Sequence, residues 1–115
     1  MIKDIELDGK IVKIEFIVPD EVRKFLNKNN IDENQLLKDY KWEGCINEDL
    51  SDENYKPRND FETAKLVINY IHISQDNQIR VHPESYSKGK RLSSPLWHKG
   101  SFFRDFSIGY SIFAE

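Results

Sequence analysis

The chain has 115 residues, a net charge of −3, 32% charged residues and one cysteine, Cys45. Its length fits one domain, 1–115, and thirteen Ile, seven Phe, five Tyr and two Trp supply the bulk for one core. A lone cysteine excludes an internal disulfide, three scattered His add no zinc-ligand spacing, and no apolar run nears the roughly 18 residues of a membrane span.

The first predicted element is a β-hairpin. Ile2 to Leu7 and Lys10 to Val18 flank Asp8-Gly9, a two-residue turn signal because both central positions need positive φ. In that register the numbers of opposed residues sum to 17. One face then collects Met1, Lys3, Ile5, Leu7, Lys10, Val12, Ile14 and Phe16, mostly apolar, and the other sets Asp4 against Lys13 with Glu6 and Glu15 nearby. Pro19 with Asp20-Glu21 marks a helix start, with Val22, Phe25 and Leu26 as its buried stripe and Asn29-Asn30 as its end. A second helix is predicted from Glu33 to Trp42. Asp32 caps it, Gln35 completes a capping box, and Ile31 staples onto Leu36.

Residues 43–60 carry six acids against Lys56 and Arg58 and read as a long exposed loop. Strand character returns from Phe61 to Ser74 and from Ile79 to His82, a middle hairpin with Ile73 opposite Ile79. That register gathers Val67, Ile71, Ile73, Ile79 and Val81 on a core face, and Leu66, Ile68, Tyr70, His72, Arg80 and His82 on the other. Residues 84–101 read as a second loop. A final strand runs from about Phe102 to Phe113, where Phe106, Ile108, Tyr110 and Ile112 alternate with small polar residues. The expected fold is α+β, an antiparallel sheet of about five strands with two short helices packed on one side.

No GxGxxG, GxxxxGK[ST], HExxH, GxSxG or CxxC motif occurs, which counts against nucleotide-binding, metalloprotease and hydrolase classes. The run from Asn47 to Asn54 lacks the glycine of a calcium loop. Charge divides along the chain: residues 1–79 hold 17 acids against 11 Lys and Arg, residues 80–115 hold 3 against 6. The acidic majority disfavours nucleic acid, although Lys88, Lys90, Arg91 and Lys99 lie among Tyr86 and Trp97.

A small acidic chain without catalytic motifs suits binding another macromolecule better than chemistry. The leading expectation is a cytoplasmic, bacterial, protein-binding module of the immunity or antitoxin type, which neutralises a basic, nuclease-like toxin without metal or cofactor. Glu48, Asp49, Asp52 and Glu53 would steer and pair, and Trp42 and Tyr55 would anchor. The plain alternative is that these acids only solvate a loop. An enzyme would be of another class, a metal-independent nuclease or hydrolase using His82 and His98 as acid and base and Lys99 for charge stabilisation. Those same residues also suit an ordinary sheet surface. A third expectation is a regulatory domain that self-associates through an unpaired sheet edge.

Overall fold

Positive φ at Asp8 (50°) and Gly9 (81°) sets the first hairpin. The computed structural model describes residues 1–39, 41–50, 60–73, 77–83, 89–92, 96–101 and 105–115, with 39, 77, 96–101 and 105 described by main chain alone. β1 (Ile2–Leu7) and β2 (Lys10–Ile17) pair antiparallel, Ile2 opposite Glu15, Asp4 opposite Lys13 and Leu7 opposite Lys10. This is the expected register. Ile5, Leu7, Val12, Ile14 and Phe16 are buried, while Asp4, Glu6, Lys13 and Glu15 face water.

Pro19 precedes α1 (Asp20–Lys28), whose first turn carries Asp20 and Glu21 at the positive end of the dipole. Val22 and Leu26 bury its inner face, and Asn30 at φ 59° turns the chain after it. In α2 (Glu33–Asp39) the Asp32 carboxylate accepts the Asn34 N–H at 2.9 Å. At its other end Lys3 Nζ donates to the Leu37 and Lys38 carbonyls at 3.1 and 3.3 Å.

The expected run from Glu33 to Trp42 stops at Asp39, and a third helix, α3 (Trp42–Asp49), occupies the start of the stretch read as a loop. Trp42, Ile46 and Leu50 recur every four residues and are each at most 1% exposed. Burying that stripe outweighs the roughly 1 kcal/mol that Gly44 costs inside a helix.

The remaining strands are β3 (Thr63–Ile73), β4 (Asn77–Arg80), β5 (Lys90–Arg91), β6 (Leu96–Ser101) and β7 (Asp105–Ala114). Their order is β1-β2-β3-β7-β5, with β4 also on β3 and β6 also on β7. The fold is α+β, but the sheet is mixed rather than purely antiparallel. β2 and β3 run parallel, Lys13 beside Thr63 and Ile17 beside Val67. A parallel pair needs a long crossover, and the three helices provide it. β5 and β6 likewise lie in the stretch expected to be a loop.

β3 and β4 pair Ile71 with Ile79 rather than Ile73 with Ile79. The slip is two residues, so each side chain keeps its face. A different feature changes the faces. The β3–β7 register shifts between Ile68 and Tyr70, leaving Asn69 as an extra residue. Leu66 and Ile68, expected opposite Ile71 and Ile73, therefore join them in the core.

One hydrophobic cluster takes residues from β1, β2, β3, β7 and all three helices. The Trp42 ring lies 5.0 Å from Phe16 of β2 and 5.6 Å, edge-on, from Tyr110 of β7. Its indole N–H donates to the Leu36 carbonyl at 3.2 Å. Among the described residues no helix is long and apolar enough to cross a membrane. Replacing Trp42 with Ala should cost about 3–5 kcal/mol, read as a lower urea midpoint by circular dichroism.

Candidate functional site

The residues expected to meet a partner have three different fates. Glu48 is exposed on α3, as a steering charge requires. Asp49 is half-buried, and Tyr110 donates its hydroxyl to Asp49 Oδ2, so this carboxylate already serves to hold α3 against β7. Trp42 is 1% exposed and belongs to the core rather than to an interface. An indole flanked by Phe16 and Tyr110, with its N–H taken by Leu36, has no surface left to offer. Asp52, Glu53 and Tyr55 lie outside the described residues.

The acids around α3 have neighbours that the chain order conceals. Asn47 Nδ2 donates both to the Glu43 carbonyl, at 2.9 Å, and to the Glu6 carbonyl of β1, at 3.0 Å. This double contact seats α3 on the outermost strand. Exposed Glu43 and Glu48 of α3 and exposed Asp4, Glu6 and Glu15 of the hairpin thus belong to the same end of the sheet, the hairpin acids on the face turned from the core, where Lys13 faces Asp4. Lys90 and Arg91 of β5 stand at the opposite end of the strand order, four strand spacings or about 19 Å away. Lys90 and Arg91 thus stand apart from these acids, while Lys3, Lys10 and Lys13 lie within the hairpin itself.

His72 and His82 stand apart, and His98 is placed by its main chain alone. His72 pairs with Gln78 and Ser107, and exposed His82 follows β4 four residues beyond Gln78, about 13 Å along the strand direction. His98 pairs with Ile108 of β7, which pairs in turn with Ile71 of β3, so two strand spacings, about 10 Å, separate the backbones of His98 and Ile71. Lys99 pairs with Ser107. His72 is half-buried, and Tyr70 beside it contacts Gln78 through its hydroxyl. This is the cross-strand bonding of a sheet surface. An acid–base pair needs both groups within hydrogen-bond reach of one substrate. No group of three or more possible metal ligands occurs among the described residues.

Sequence reasoning missed a polar cluster on the sheet face away from the core. At the bulge, Asn69 is 4% exposed, and its Nδ2 lies 3.4 Å from Ser111 Oγ, itself fully buried. Arg91 reaches the same oxygen at 3.5 Å and lies over the Phe113 ring, 5.5 Å from its centre. Asn69 Oδ1 is buried without a hydrogen-bond partner among the described residues. The alternation of β7 reveals the small polar face, but only the bulge places a buried amide on it.

Two substitutions separate these arrangements. Tyr110→Phe deprives Asp49 of its donor and should lower stability by about 1.5–3 kcal/mol, with little change in the denaturant slope. Ser111→Ala leaves the buried Asn69 amide short of its remaining contact and should cost about 1–3 kcal/mol in the same assay. Comparison with models of protein families, with curated proteins and with solved structures found no match to this chain.

Proposed function

We propose that this chain is a cytoplasmic, bacterial, protein-binding domain of the immunity or antitoxin type, whose acidic end takes up a basic, nuclease-like protein. One observation carries the reading: exposed carboxylates of β1, β2 and α3 belong to one end of the strand order, where Asn47 seats α3 on β1, away from Lys90 and Arg91. Separated poles of this kind orient an approaching cationic surface and raise its encounter rate. Glu43, Glu48, Asp4, Glu6 and Glu15 do the steering. Trp42 is replaced in the anchoring role by the exposed apolar residues nearest those acids, Ile2 at 66% and Ile11 at 58% exposure. Asp52, Glu53 and Tyr55 remain part of the proposal as continuations of the same acidic stretch.

The test is stopped-flow association of the whole chain with a small basic nuclease domain. The rate should fall by at least roughly tenfold between about 0.05 and 0.5 M salt, and Glu43→Lys with Glu48→Lys should slow it further at low salt. A rate indifferent to salt would remove the proposal.

A further inference from the structure

Among the described residues β1 is the last strand of the sheet, and its main chain divides into two sets. The Met1 carbonyl accepts the Phe16 N–H at 2.8 Å, so in an antiparallel ladder Met1, Lys3, Ile5 and Leu7 direct their polar groups at β2. Ile2, Asp4 and Glu6 direct theirs away from the sheet. Asn47 takes the Glu6 carbonyl and caps the turn end of this edge. Among the described residues the N–H and C=O of Ile2 and Asp4 and the N–H of Glu6 have no strand beside them.

The side chains along the edge specify what fits it. Ile2, Asp4 and Glu6 share the face turned from the core, with Glu15 opposite Ile2 and Ile11 opposite Glu6. Two exposed isoleucines thus alternate with three carboxylates, and Lys13 is the one cation of that face among the hairpin residues.

We propose that β1 receives an extended basic segment of a partner protein as an additional strand. Its main chain bonds to Ile2, Asp4 and Glu6. Its alternate Lys or Arg side chains meet Asp4 and Glu6, and an apolar residue lies against Ile2. The inference rests on the acid-meets-base reading above and gives it a mode of contact. Charge selects the occupant. Two copies joined edge to edge about Asp4 would set Asp4 against Asp4, a like-charge pair directly opposed. The cationic strand of a second copy, β5, has only two residues, too few to cover the three that β1 turns outward.

The probe is a fluorescent peptide of about seven alternating Lys and Val residues, compared with the same peptide N-methylated at every second amide, so that charge is kept and strand pairing is lost. Anisotropy at low salt should give binding to the whole chain that weakens by roughly tenfold or more on methylation, the loss expected from two main-chain hydrogen bonds. Hydrogen exchange should show the Asp4 and Glu6 amides slowed by the unmethylated peptide. Equal affinity for both peptides would overturn strand addition and leave the acidic surface standing. Binding of neither would overturn both, and would mark the carboxylates as protection of the edge against pairing. A dimer or larger assembly of the free chain that the peptide does not dissociate would assign the edge to a second copy.

Discussion

Trp42 is the point at which the separate parts of the chain are held to one another. Its ring sits between Phe16 of the N-terminal hairpin and Tyr110 of the C-terminal strand, and its N–H is fixed by the last turn of α2. Burying so large a ring with its one polar atom satisfied contributes both apolar area and a defined orientation. Tyr110 then does two things. It packs edge-on against Trp42, and its hydroxyl reaches Asp49 at the far end of the same helix. α3 is thereby fixed at its first and last residues, and Asn47, between them, reaches the sheet edge.

That fixation determines the surface. With α3 seated on β1, the acids of residues 4–15 and 43–48 come to the same end of the sheet although at least 28 positions separate them in sequence. The crossover from β2 to β3 places three helices on the core face and leaves the hairpin at the edge. The other face behaves differently. Val67, Asn69 and Ser111 are almost fully buried there, on the side away from the helices. A bulge that carries a buried amide beside a buried hydroxyl, the amide Oδ1 without a partner among the described residues, is sensitive to small changes of shape.

The sequence made the local parts of this structure legible. Asp8-Gly9 fixes a turn, the turn fixes a register, and the register assigns the faces of β1 and β2. α1 and the start of α2 follow from Pro19, Asp20, Glu21 and Asp32 in the same way. What stayed hidden was nonlocal or masked by composition. Gly44 and four nearby acids conceal the stripe of Trp42, Ile46 and Leu50, so a helix reads as a loop and a core indole as a surface anchor. An extra residue at Asn69 leaves no mark on a period-two pattern, which is why Leu66 and Ile68 were expected on the wrong face. The parallel alignment of β2 with β3 depends on a crossover, and no turn residue announces it. In the candidate site, the exposure of Glu48 could be read from sequence; the commitment of Asp49 to Tyr110 could not.

The parallel pairing has a kinetic consequence. The hairpin closes over two residues and can form within microseconds, long before Lys13 to Ile17 meet Thr63 to Val67. Three helices must be threaded between those segments, and the entropy of closing that long loop is lost before the central ladder repays it. During this interval the chain carries a hairpin with both edges bare and with the apolar face of Ile5, Leu7, Val12 and Ile14 uncovered. Carboxylates at positions 4, 6 and 15 then repel the same strands of neighbouring chains. Charges that sit at the rim of the finished sheet thus also guard the newly made chain against clumping.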